Sequence, residues 1–282
     1  MKKQQWLIVI VGIILIGAIY FSGNTKAPKS DTSPASSAHS TVNQVITTES
    51  LLAKAKLRIS PAQVTKLVAL ESSVKRGDVK EQQLHVFHQL ARFWSDSARV
   101  FEPYAYYTSE AAKLENSEKS LTFAAHLFLD NLITEGDPAM QHWLGEHAKV
   151  LLDKALVINP SNDSSKIGIG ICYMFGNISN SPMQGILEVR KIVQEHPENL
   201  YGQMVLGLGG KKSGQYDKAI ERFKIVLAKE SENLEAIFNI AETYEMKGDK
   251  SNAVIWYTRA KEVIKVPDAK LALEKRINEL KR

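Results

Sequence analysis

Two stretches near the C-terminus superimpose without a gap at a spacing of 34 residues: Gly207 on Ala241, Gly214 on Gly248, Ala219 on Ala253 and Phe223 on Tyr257. A fixed period of this length marks a supersecondary unit copied along the chain. Small residues where two helices must touch, with an aromatic four positions after the second of them, describe a helix pair. Such a pair cannot bury its apolar face alone and has to stack on a neighbour. The expectation is an all-α chain of stacked helix pairs.

The period and residue types resemble the tetratricopeptide repeat, whose two-helix unit carries a small residue on its first helix, Ala and an aromatic on its second, and Pro near its end. Placing Ala219 at the unit's Ala gives repeats over 200–233 and 234–267. Counting back gives 166–199, with Gly185, Val189 and Pro197 at the Ala, aromatic and Pro positions. Two departures accompany these matches: Tyr173 falls where the family has a small residue, and Gly210 replaces a large one. Residues 49–165 read as degenerate helical repeats. There the apolar run 121–133 forms a first helix, Ala148, Leu152, Ala155 and Pro160 mark a second, and an insertion around Gly136-Asp137-Pro138 separates them. Residues 268–282 read as a terminal capping helix with Leu271, Leu273, Ile277 and Leu280. The resemblance implies a right-handed α-solenoid acting as an interaction scaffold, not an enzyme, with no cofactor.

The N-terminus adds a second constraint. Lys2 and Lys3 precede sixteen uncharged residues from Trp6 to Phe21. As a helix these span about 24 Å, somewhat less than the ~30 Å of bilayer hydrocarbon. A cleaved signal would end in small residues, whereas Ile19-Tyr20-Phe21 puts bulky side chains at that place. Residues 1–23 therefore read as a single-pass transmembrane anchor, with a cleaved signal and a soluble periplasmic protein as the alternative. Positive charge ahead of the apolar run directs the remainder outward. Residues 24–48 follow as a linker rich in Ser, Thr and Pro. A bacterial inner-membrane protein with a periplasmic C-terminal domain is the expected location.

Composition excludes several classes. Charged residues are 24% and apolar ones 44%, as in ordinary globular chains. The net charge of +5 includes Lys2 and Lys3, which leaves no basic excess of the kind nucleic acid requires. A single cysteine, Cys172, permits neither an internal disulfide nor a thiolate cluster. His142, Glu146 and His147 are the strongest metal candidates, and the alternative function is a metal-dependent hydrolytic enzyme built on them. Their order is not the H-E-x-x-H arrangement that places two ligands on one helix face. His85 and His88 are three apart and could share a helix side, but no carboxylate neighbour completes a site with them. The reading assigns no catalytic, cofactor or metal residue.

What remains is a surface. In the resembled family the first helix of each unit lines a concave groove at its second, fifth, ninth and twelfth positions. Carried over by register, these positions include Ile167 and Met174, then Tyr201, Met204, Leu208 and Lys211, then Phe238 and Glu242. Such a groove suits an apolar helix or peptide of a partner protein. The functional expectation is a membrane-tethered adaptor of the bacterial cell envelope that helps assemble a complex.

Overall fold

The computed structural model describes residues 46–76, 79–179 and 181–282. They form thirteen α-helices and no strand among the described residues. In chain order these are α1 (Thr48–Lys56), α2 (Pro61–Arg76), α3 (Lys80–Arg92), α4 (Phe101–Glu115), α5 (Glu118–Leu132), α6 (Pro138–Ile158) and α7 (Asp163–Phe175). They continue as α8 (Pro182–Glu195), α9 (Leu200–Lys212), α10 (Tyr216–Lys229), α11 (Leu234–Met246), α12 (Lys250–Val263) and α13 (Pro267–Leu280). A π-helical turn, Phe93–Ala98, joins α3 to α4. The expected transmembrane segment and most of the linker lie outside the described residues. Among the described residues no helix is long and apolar enough to cross a membrane.

Helix starts are set locally. Asn162, Asn199 and Asn233 each accept the N–H three residues on, from Ser165, Gly202 and Ala236, at 2.9 Å. Each thereby satisfies one of the donors that a helix N-terminus leaves free. Gly214 and Gly248 close the first helices of two pairs at φ 74° and 83°, a conformation that costs a side chain with a Cβ and costs glycine nothing.

Within each pair a small residue lets the helices approach. A Cβ at Gly207 would sit 2.4 Å from the Phe223 ring, and one at Gly170 would sit 2.4 Å from Val189 Cγ2. These equivalent contacts correct the register upstream of residue 199. The capped helix α7 opens at Asp163 rather than Lys166, so Gly170, not Tyr173, takes the small position of Gly207 and Ala241. The three surplus residues fall in the turn between α7 and α8, where Asn177 adopts φ 49°.

The insertion foreseen at Gly136-Asp137-Pro138 is largely helical. Helix α6 has 21 residues against 14 in α10, and its extra turns stand at its N-terminal end. Those turns meet the lengthened α7–α8 turn. A Cβ on Gly145 would lie 2.8 Å from Gly176 Cα, and His142 Nδ1–H donates to the Asn177 carbonyl at 3.2 Å. The two departures from the repeat period thus pack on each other.

Most of the core is one cluster running from Leu51 to Leu280, through Phe128, Leu152, Ile167, Val189, Phe223 and Ala253. A second cluster holds Leu67, Leu90, Phe93, Trp94 and Tyr107 near the start of the unit. Leu273, Ile277 and Leu280 fix α13 to the end, while Leu271, expected to join them, is exposed.

Candidate functional site

Successive first helices touch one another, α5 on α7, α7 on α9 and α9 on α11, so their outer sides form a continuous face. On that face lies a cleft of about 560 Å³. Ile133, Phe175, Leu208, Phe238 and Met246 supply its apolar surface, and Glu135, Lys211, Lys212, Glu235 and Glu242 its charge. One wall, Ile133 to Glu135 with Gln141, comes from the α5–α6 connection and the lengthened start of α6.

Of the residues expected to line a groove, Leu208, Lys211, Phe238 and Glu242 meet in this cleft. Ile167, Met204 and Met174 behave differently. Ile167 is fully buried and Met204 nearly so, both as members of the core cluster. Met174 is buried too and lines a separate depression beside Gly209 and Gly210. On these helices the fifth position packs inward because the neighbouring helix lies against it: a Cβ on Gly202 of α9 would touch Ile167 Cδ1 at 3.5 Å. Tyr201 is half-buried beside His126, ring centroids 5.9 Å apart. Burial, then Asp130, raises its hydroxyl pKa above the tyrosine range.

Sequence reasoning missed Phe175, Lys212 and Met246. In the corrected register all three are the thirteenth residue of their helix, one step past the last position considered. The Asn caps at 162, 199 and 233 were the signal that would have aligned them.

The polar side chains are ordered mostly by one another. Lys211 Nζ donates to Asn239 Oδ1 at 2.5 Å and to Glu242 Oε2 at 2.8 Å. Lys212 Nζ donates to the Met174 carbonyl at 3.2 Å and stands 4.7 Å over the Phe175 ring, a cation at a helix C-terminus where the dipole favours it. Burial lowers its pKa. Burial, followed by Asp130, raises that of Glu235, with Lys211 opposing.

The alternative metal site does not assemble. His147 Nε2 is hydrogen-bonded to Thr48 Oγ1 at 3.1 Å and packs on Trp143, Phe128 and Tyr106, whereas His142 reaches Asn177 and Glu146 is exposed. Burial, helped by Lys113, lowers the His147 pKa to about 4, so its ring is neutral at pH 7. Among the described residues no three His, Cys, Asp or Glu side chains are placed to hold a metal ion. His88, expected to lack a carboxylate neighbour, pairs with Glu115 at 2.9 Å across 27 residues of sequence. Cys172 is buried, and that burial pushes its thiol up to about 12.

Against known proteins, a family model described as a domain of unknown function (DUF6340) matches residues 211–282, the end of α9 through α13. A comparison with curated proteins finds no match. Among solved structures, a tetratricopeptide repeat protein from Parabacteroides merdae superimposes over 83% of this chain and 86% of its own, at TM-score 0.53 and 14% identity. The chain has the tetratricopeptide-repeat fold. Lower similarity extends to PilW, a type IV pilus biogenesis factor (17% identity, 70% and 85% coverage, TM-score 0.48). It extends also to YrrB, a tetratricopeptide-repeat protein with an unusual peptide-binding site (15% identity, 73% and 98% coverage, TM-score 0.41). In tetratricopeptide-repeat terms the cleft belongs to the first helices, and its extra wall belongs to this chain's own insertion.

Proposed function

We propose that the chain is a scaffold that binds a segment of a partner protein in the cleft on α7, α9 and α11, while its first residues anchor it in the bacterial inner membrane with the helical unit in the periplasm. The observation that carries the binding reading is the extra wall. A plain iteration of helix pairs needs no Ile133, Glu135 or Gln141 beside Phe175 and Leu208, and their presence gives one place on a repeating face its own shape. An exposed apolar side chain such as Met246, beside half-buried Phe238, supplies the desolvation that a docked helix or peptide uses. Support for the anchor is the charged start, the sixteen apolar residues and the bulky Tyr20 and Phe21. In this reading the adaptor keeps a partner near the membrane during assembly of a complex.

A photo-reactive amino acid at Met246 in the full chain should give a discrete adduct in cells, and the same label at exposed Ile255 on α12 should not. Equal adducts from both positions, or none from Met246, overturn the binding reading. For the anchor, alkaline phosphatase fused after Thr48 should be active and the full chain should stay with carbonate-washed membranes. A shortened, soluble product would establish the cleaved alternative.

A further inference from the structure

Resting on the groove reading above, we infer that the partner segment is amphipathic and basic: an apolar stripe seated on Phe238 and Met246, with Lys or Arg side chains reaching the carboxylates around it. The cleft and its edge carry Asp130, Glu135, Glu235 and Glu242 against Lys211 and Lys212. Lys211 is taken up by Glu242 at 2.8 Å. Among the described residues none of Asp130, Glu135 and Glu235 has a basic side chain within ion-pair distance. Glu135 Oε1 accepts the Gly136 and Asp137 N–H groups at 2.7 and 2.8 Å, so Asp130 and Glu235 are the carboxylates left without a close cation. Asp130 and Glu235 stand close enough for one to hinder ionisation of the other, a repulsion that a bound cation relieves. The chain as a whole carries a net charge of +5, so the acidic balance of this face is a local departure that favours a basic ligand here. An acidic segment would meet uncompensated like charge at the same place. Lys212 does not change the sign, since it is held at the Met174 carbonyl and the Phe175 ring.

The test uses the full chain in nanodiscs of zwitterionic lipid and two labelled helical peptides with the same Leu face, one with Lys and one with Glu on the opposite face. Fluorescence anisotropy should give the Lys peptide an affinity at least about tenfold higher, falling as salt is added. Combining Asp130→Lys with Glu235→Lys, both exposed positions, should abolish or reverse the preference, and Met246→Ser should weaken the Lys peptide. Equal or tighter binding of the Glu peptide, still sensitive to Met246→Ser, overturns the basic partner and leaves the groove. Self-association lost in Met246→Ser would identify a second copy as the occupant and overturn it also. Insensitivity of both peptides to Met246→Ser removes the groove itself.

Discussion

Helices α9 to α12 and helices α1 to α4 solve the same problem, burying one face of a short helix, with different residues. In the later region small residues sit at the crossings. Gly207 receives the Phe223 ring, and Ala219, Ala241 and Ala253 are wholly buried. Backbones approach closely and the first helices close on Gly214 and Gly248. In the earlier region bulk fills the space: Phe93 and Trp94 meet edge to face at 5.3 Å, and Tyr107 packs with Tyr106 at 5.1 Å. Arg99 and Asn116 hold the positive-φ positions there. The first region is fixed by spacing, which repeats. The second is fixed by particular side chains, which need not.

The largest effect that tests this contrast is Met204→Glu together with Leu208→Glu. Exposures of 7% and 6% place both in the packed interior of α9, so two carboxylates without partners cost several kcal/mol and the folded state should be lost. Circular dichroism checks it. Retention of a native melt would mean that this face opens to solvent and that close packing is not what fixes the region.

Ala219→Leu and Ala253→Leu come next, each expected to destabilise by about 1–3 kcal/mol through overpacking. The exposed neighbour Lys218→Leu should change little. Equal thermal midpoints for all three would break the small-residue account of the later helices.

Acidification should act on the earlier region instead. Trp143 Nε1–H donates to Thr48 Oγ1 at 3.0 Å, and the same oxygen is bonded to His147. This latch attaches α1 to α6. The folded pKa of His147 lies near 4 and the unfolded one near 6.5, so the unfolded chain takes the proton first. The stability that the neutral ring provides is fully present above about pH 6.5 and declines as pH falls toward 4. Thermal midpoints between pH 7 and 5 should fall more for the native chain than for His147→Gln. Identical pH slopes would remove the latch as the sensitive element.

The same contrast explains what the sequence disclosed. The pairs beginning at Leu200 and Leu234 stand where counting put them, because Asn199 and Asn233 cap them 34 residues apart. Counting back failed by three residues at Asp163, since the period assumes a turn length that the α7–α8 turn exceeds. That Leu208, Lys211, Phe238 and Glu242 share a cleft was legible because helical spacing puts them on one face. Ile167 and Met204 were not, because exposure depends on how far the next helix leans over. His88 with Glu115, and Thr48 with Trp143 and His147, join residues 27 to 99 apart in the chain, beyond any local pattern.

The contact between the lengthened start of α6 and the lengthened α7–α8 turn has a consequence for how such chains can change. Trimming one of the two would leave the Gly145 or the Gly176 backbone without its opposite surface and expose the wall of the cleft at the same stroke. Length changes at these two places should therefore survive only as matched gains or losses, two distant edits inherited as one, and a relative that has shed the pair would retain the stack while losing the extra wall of the cleft.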